Sequence, residues 1–303
     1  MSTSTSTRAD AMASTASRLA LRRLVDARRG ALVPGAFNAL SARVIADLGF
    51  EAIYVTGAGV TNMNLGLPDQ GFMGLAEIAD VTGRIRDAVA LPLIVDADTG
   101  FGNALNVRHA VRTLERAGAD CVQLEDQVSP KRCGHFDGKA VIATAEMVGK
   151  IKAAVDARHD SGLLVMARTD ARATHGFEAA VERAHAYAEA GADILFVEAM
   201  ESAEEIRALP HRLGPPQLMN MVIGGRTPIF GAQELSGMGY GIVLYANAAL
   251  QGAVAGMQRA LTVLRETRRL DEDSALVVSF KERQRLVGKP EIDALEQRYA
   301  APD

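Results

Sequence analysis

Two aspartates one residue apart, Asp96 and Asp98 in the run DADTGFG, close a stretch of apolar and β-branched residues. Alternation along an extended chain puts both side chains on the same side, with Cα atoms about 7 Å apart, and like charges that close call for a cation. Glu125, at the end of the next apolar run, and Asp69, in GLPDQG, can add oxygens to the same point. An oxygen-only set with no nearby His pair or Cys pair favours Mg2+, with Mn2+ possible, over Zn2+. The competing use of such acids is structural, as helix caps or as partners of Arg168 and Lys131.

A second reactive group follows in the loop from Ser129 to Lys139, where Cys133 is flanked by Lys131, Arg132 and His135. Neighbouring positive charge lowers a thiol pKa toward neutrality, which suits a residue that gives or takes a proton beside a metal. Gly134 and Gly138 leave that loop free to open and close. Cys121 differs: it sits inside an apolar run and reads as a small core residue.

These groups are far apart in the chain, so the scaffold must gather them. Short apolar runs, each followed by a helical pattern, recur as Leu32 to Phe37, Ala52 to Thr56, Pro92 to Asp98 and Cys121 to Asp126. They continue as Leu163 to Asp170, Ile194 to Ala199, Gln217 to Val222 and Gly241 to Ala246. Three of them are entered through a helix end with glycine at the position after the cap, at Gly49, Gly118 and Gly191, a weak internal repeat. Nearly every run finishes in groups able to do chemistry: Thr56 and Gly57, Asp96 and Asp98, Glu125 and Asp126, Arg168 and Asp170, Glu198, and Asn220. A doubly wound open sheet would spread these along an edge, whereas a closed parallel barrel converges them on one mouth. The expected fold is therefore α/β, a (β/α)8 TIM barrel.

The 303 residues are 48% apolar and 23% charged with a net charge of −4, which excludes a disordered chain and gives no basic footprint for nucleic acid. The sequence has no apolar run long enough to span a membrane. Two cysteines are too few for a disulfide framework, and with no hydrophobic signal region they point to the cytoplasm. Residues 1–17, rich in Ser and Thr, are expected to form a mobile tail, an organelle transit segment being the alternative. The barrel is assigned to residues 18–270, and residues 271–303 to helices beyond the repeat that dock on a neighbouring subunit.

The combination YVTGAG, GLPDQG, DADTGFG, QLED, KRCGH, ARTDA, FVEA and NMVIGGRTP, running from about Leu19 to Lys289, resembles the isocitrate lyase and phosphoenolpyruvate mutase superfamily. That resemblance implies a (β/α)8 barrel whose last helix is exchanged with a partner, a homotetramer of paired subunits, and a Mg2+-bound 2-oxo acid or enolate at the mouth. The C-terminal helices would then be the exchanged element. Carried over by position, Asp96 would be the most direct metal ligand, with Asp98, Glu125 and Asp69 acting directly or through water. The backbone of Thr56, Gly57 and Ala58 would hold the carboxylate of the 2-oxo acid, with Arg168 reaching its oxygens. Gly134 and Asn220 match substrate-contacting positions. Cys133 resembles the acid that protonates the departing carbanion, and Tyr54, Glu198 and His135 match positions near the reacting hydroxyl or the loop hinge.

Cys133 favours a carbon–carbon lyase over a phosphonomutase, whose usual sequence lacks that cysteine. Relatives acting on tricarboxylates such as methylisocitrate tend to carry Thr-Glu-Phe after the strand-seven asparagine and arginines further on. Here those places read Val222-Ile223-Gly224, Gln251 and Phe280. The patterns NMVxGGxTP and KRCGHxxGK resemble instead the group of dimethylmalate lyase and the petal death protein, although Ile223 stands where that group suggests Glu. The resemblance thus implies Mg2+-dependent cleavage of a small 2-hydroxy dicarboxylate, an alkylmalate, to a 2-oxo acid such as pyruvate and a carboxylic acid. Alternatives are oxaloacetate hydrolysis or decarboxylation, methylisocitrate cleavage, and a silent paralogue that only binds a 2-oxo acid.

Overall fold

The structure, a computed structural model, describes residues 3–132 and 138–300. After a first helix, α1 (Thr3–Asp26), come β1 (Ala31–Ala36), α2 (Ala39–Asp47), β2 (Ile53–Val55), α3 (Gly57–Leu65) and α4 (Leu75–Ala88). The chain continues through β3 (Leu93–Asp96), α5 (Ala104–Arg116), β4 (Cys121–Glu125), α6 (Thr144–Ala157) and β5 (Leu164–Thr169). Next are α7 (Ala171–His175), α8 (Phe177–Glu189), β6 (Ile194–Val197), α9 (Ala203–Arg212) and β7 (Gln217–Asn220). Last come α10 (Ala232–Met238), β8 (Ile242–Tyr245), α11 (Ala248–Thr267), α12 (Phe280–Leu286) and α13 (Lys289–Tyr299).

The eight strands form a closed barrel in chain order, and each pair is parallel, with Val33 of β1 opposite Leu244 of β8 at the closure. Every expected strand is present. Strands covered on both faces must be apolar nearly throughout, and that is how they read. One set, including Ile94, Cys121, Met166, Phe196 and Leu218, packs together as one core. Their neighbours, including Val95, Val122, Val165 and Val197, pack in a second core with residues of the helices. Cys121 is fully buried, as its sequence context indicates, and burial pushes its thiol pKa well up.

The repeated helix ends have a common cause. Gly49, Gly118 and Gly191 have φ of 81°, 99° and 104°, which residues with a Cβ adopt at a cost. After Gly118 and Gly191 the acid two residues later then ties down a neighbouring strand: Asp120 accepts from Leu93 N at 2.8 Å, and Asp193 from Val165 N at 2.9 Å.

The expected tail is longer on paper than in the fold. Residues 3–26 form one helix, and the expected boundary at residue 17 falls inside it. Leu21 and Val25 of α1 are buried among the first of the two cores. Ser17 donates to Asp120, and Arg18 pairs with Asp160 at 2.7 Å and Glu115 at 3.3 Å. Arg18, Leu21 and Val25 belong to the segment assigned to the barrel; Ser17 is the one residue of the expected tail among these contacts.

At the other end, α11 buries Leu250 and leaves Val254, Met257, Leu261 and Leu264 exposed. Beyond it, Arg285 of α12 returns to its own barrel, pairing with both carboxylate oxygens of Asp47 on α2 at 2.7 Å.

Arg18 is nearly buried against Asp120 and Glu115, so removing it strands buried carboxylates without a counter-charge. Arg18→Ala is expected to lower unfolding free energy by about 3 kcal/mol, read from urea denaturation; a loss below about 0.5 kcal/mol, the range of ordinary surface substitutions, would deny the anchor.

Candidate active site

A cavity of about 130 Å³ opens where the C-terminal ends of the strands meet. From the β2 to β6 arc it is lined by Tyr54, Thr56, Ala58, Asp69, Asp96, Lys131, Arg132, Arg168, Phe196 and Glu198. From the β7 and β8 arc it is lined by Asn220, Met221, Val222, Ile223, Leu244, Ala246, Asn247, Ala248 and Gln251.

The DADTGFG run turns sharply because Asp98, Gly100, Phe101 and Gly102 all take positive φ, at 48°, 84°, 59° and 143°. A non-glycine residue in that region is strained, and the turn keeps Asp98 beside Asp96, whose Oδ1 accepts from Asp98 N at 3.1 Å. The N-terminus of α3 presses against both acids. Gly57 N donates to Asp96 Oδ2 at 3.4 Å, and a Cβ on Gly57 would stand 3.1 Å from that oxygen and 3.5 Å from Asp98 Oδ1. Thr56 caps this helix through Gly59 N at 3.2 Å. From α6, the buried Lys150 donates to Thr99 O at 3.0 Å and pins the turn from behind.

Lys131 Nζ lies between Asp69, at 2.6 Å, and Asp98, at 2.9 Å. Burial opposes its charge, but Asp98, Asp96, Glu125 and Asp69 outweigh that and hold its pKa well above the ordinary lysine value. Burial also dominates at Asp98, pushing its carboxyl up to about 6 against the pull of Lys131. Glu125 is pushed upward by the same cause, against Arg168 and Lys131, and its Oε1 is buried with no hydrogen-bond partner. The ion pairs weighed as the structural use of these acids are therefore present, since Arg168 Nε also lies 3.6 Å from Glu125 Oε2.

Among the described residues no three acids already enclose a point as a metal site; the ammonium of Lys131 takes the place between Asp69 and Asp98. The unpaired oxygen of Glu125 and the all-oxygen donor set fit a hard divalent cation once that ammonium is displaced.

Two positioning residues escaped the sequence reading. Tyr54 donates its hydroxyl to Gln123 Oε1, and Gln123 Nε2 donates to Asp96 Oδ1 at 3.2 Å. Burial, reinforced by Asp96, pushes the Tyr54 phenol well up, so it stays a neutral donor. A polar residue inside the buried strand Cys121–Glu125 was the available signal for Gln123. Lys150 had none, lying in an ordinary helical pattern.

Arg168 is fixed by Asp170, with Nε to Oδ2 at 2.9 Å and Nη2 to Oδ1 at 3.1 Å, and it stacks over the Phe196 ring 5.1 Å from the centroid. Lys139 holds Asp170 from the other side at 2.7 Å. Arg168 Nη1 reaches Glu198 Oε2 at 3.4 Å, and that oxygen accepts from Asn220 Nδ2 at 3.1 Å. Asp126 does not line the cavity: Thr169, Tyr187, Arg183 and the Asp170 backbone consume it in a buried network. Cys133, Gly134 and His135 lie outside the described residues. The stem of their loop is clamped where Gln127 and Arg132 exchange bonds of 2.8 and 3.0 Å, and where Val128 N donates to Ala140 O at 2.8 Å. Phe280, matched in sequence to a substrate-binding arginine, lies on α12, 61% exposed, and is not among the lining residues.

Fold and site together define a (β/α)8-barrel protein with acids, one fixed arginine and a lysine at the mouth. Residues 21–265 match the family described as phosphoenolpyruvate phosphomutase, and the chain belongs to that family, within the PEP mutase/isocitrate lyase superfamily. It is 43% identical over 280 residues to 2,3-dimethylmalate lyase of Eubacterium barkeri, covering 92% of this chain and 97% of the relative. To 2-methylisocitrate lyase of Aeropyrum pernix it is 48% identical over 248 residues, 82% of this chain and 79% of that one. Among solved structures, oxaloacetate acetylhydrolase bound to 3,3-difluorooxalacetate superposes with a TM-score of 0.88 at 32% identity, covering 93% of this chain and 97% of that one. Phosphonopyruvate hydrolase in complex with oxalate and Mg2+ gives 0.83 at 30%, covering 93% and 99%.

Outer partners of a metal ligand commonly change affinity by about 10- to 100-fold when removed. With Asp96 as the Mg2+ ligand that the family resemblance implies, Gln123→Leu is expected to weaken Mg2+ binding at least tenfold in calorimetric titration, and an unchanged affinity would leave Gln123 a packing residue only.

Proposed function

We propose that the chain is a Mg2+-dependent carbon–carbon lyase that cleaves a small 2-hydroxy dicarboxylate of the alkylmalate type, such as 2,3-dimethylmalate, to pyruvate and a carboxylic acid. The observation that carries this reading is the division of the cavity lining: acids, Lys131 and the fixed Arg168 on one arc, neutral amides and apolar groups on the other. The likeness to 2,3-dimethylmalate lyase supports it.

Asp96, Asp98, Glu125 and Asp69 would hold the cation, which when bound supplies Lewis-acid stabilisation of a developing alkoxide. Arg168, locked by Asp170, binds the 2-oxo acid carboxylate, assisted by the backbone of Thr56, Gly57 and Ala58 at the start of α3. Of the two groups matched to the reacting hydroxyl, Tyr54 is a neutral donor already committed to Gln123. Glu198, a carboxylate lining the mouth that is not among the four assigned to the cation, is assigned to accept the hydroxyl proton. The C2–C3 bond then breaks, its electron pair passing to C3 and into the adjoining carboxylate as C2 becomes a carbonyl. Cys133 delivers a proton to C3, with His135 two residues further along the sequence.

Oligomer assembly belongs to the same reading. Val254, Met257, Leu261 and Leu264 form an exposed apolar stripe on α11, and Leu32 on β1, Leu40 and Val44 on α2 and Leu48 at its C-terminal cap are exposed. Exchange between paired subunits of a homotetramer, expected of the helices in residues 271–303 and extended here to α11, would cover both surfaces. Among the described residues no helix is long and apolar enough to cross a membrane, and the cytoplasm is the compartment proposed.

A second reading, oxaloacetate hydrolysis to acetate and oxalate, is favoured by the likeness to oxaloacetate acetylhydrolase. Pyruvate release from 2,3-dimethylmalate, abolished by excess chelator, is expected; activity confined to oxaloacetate, yielding oxalate, would select the second reading. Cys133→Ser should lower cleavage by about 10²–10⁴-fold while oxalate still binds, and unchanged turnover would remove the thiol from the mechanism. Leu261→Glu should shift the sedimentation mass from tetramer toward smaller species; an unaltered mass would place the subunit contacts elsewhere.

A further inference from the structure

Asn247 stands at the N-cap of α11, yet its side chain makes no capping hydrogen bond. Asparagine at this position ordinarily gives its oxygen to a backbone N–H of the first turn. Here Oδ1 is shielded from solvent without a partner, while the residue lines the cavity at the barrel mouth. Gln251, one turn along α11, lines the same cavity, so the two amides share a helix face. On β7, Asn220 is 8% exposed, its Nδ2 committed to Glu198 and its Oδ1 also without a partner. A buried amide left unsatisfied costs free energy that a ligand's polar group can recover. Rotation of the amide exchanges oxygen for nitrogen, so the same side chain can offer a donor.

The cations lining the cavity, Lys131, Arg132 and Arg168, all come from β5 or the loop after β4. On the β7 and β8 arc the lining groups are uncharged. We propose that Asn247 is a specificity-determining residue: its amide, with Gln251 beside it, receives the far carboxylate of the substrate through neutral hydrogen bonds and favours a dicarboxylate over a tricarboxylate. This deepens the lyase reading and rests on it. A neutral subsite can hold one carboxylate by hydrogen bonds, but it supplies no charge to offset the desolvation of a second one.

Asn247→Leu and Asn247→Asp separate this role from a structural one. With Mg2+ present, binding of oxalate and of malate is measured by calorimetry, and steady-state cleavage is followed for 2,3-dimethylmalate. Oxalate is short enough to occupy the acid and arginine arc alone, whereas malate extends to the β7 and β8 arc. Both variants are expected to lose tenfold or more in malate affinity and to raise KM for dimethylmalate by a similar factor, with oxalate affinity held within twofold. The Asp variant should lose most, because it sets a like charge against the far carboxylate. Asn247→Ser, which keeps a short hydrogen-bonding group, should recover part of the loss. Unchanged malate affinity, or parallel loss of malate and oxalate, would overturn the proposal. Should the wild type leave dimethylmalate uncleaved, the lyase reading fails, and the ratio of malate to oxalate affinity still decides for or against Asn247.

Discussion

Crowding carboxylates into a buried mouth is the constraint that organises this molecule. Asp69, Asp96, Asp98, Glu125 and Glu198 come from four different segments and are drawn together by the geometry of a closed parallel barrel. Desolvating that many negative charges is costly unless cations share the space. Lys131 and Arg168 do so, and their positions explain much of the rest: Asp170 and Lys139 fix Arg168, while Asp69 and Asp98 fix Lys131. The charge is only partly balanced, as the upward shifts at Asp98 and Glu125 show. A site in that condition gains from a divalent cation, because the ion relieves repulsion that the fold imposes.

Holding such a cluster requires rigidity from below and behind. The strained turn at Asp98 persists because Lys150 grips its carbonyl and α3 packs against it with no side chain at Gly57. Deeper in the barrel, Tyr54 and Gln123 carry a hydrogen-bond chain from one strand to Asp96 on the next. The bottom of the sheet is tied by Asp120, which collects bonds from Ser17, Arg86 and Leu93 at once.

Much of this could be read from the sequence, for a physical reason. Barrel strands buried on both faces cannot disguise their apolar runs, and polar residues at the ends of such runs have only one place to meet, so the eight strands and the acid cluster were legible. The helical repeat at Gly49, Gly118 and Gly191 was legible because positive φ selects glycine. What stayed hidden depends on contacts distant in sequence. Nothing local in Ser17 or Arg18 announces Asp120 and Glu115 a hundred residues on, so the boundary of the expected tail was set between them, inside α1. Lys150 looks like any helix-surface lysine until Thr99 is placed beside it. Phe280 was matched by position to a substrate contact, but the path of the chain after α11 puts it on the surface.

The two arcs of the mouth carry different kinds of information. In the proposed reaction the acids, lysine and arginine on the β2 to β6 arc meet what any 2-oxo or 2-hydroxy acid presents, a carboxylate beside an oxygen, and so would not discriminate among such substrates. Discrimination falls to β7, β8 and the start of α11, where this chain has Ile223, Asn247 and Gln251. Charge there would attract extra carboxylates at long range, whereas neutral amides act only at contact distance and reward correct placement. Selectivity of this kind is easily altered, because a single substitution on the second arc changes the ligand's far end without disturbing the charge balance on which the first arc depends.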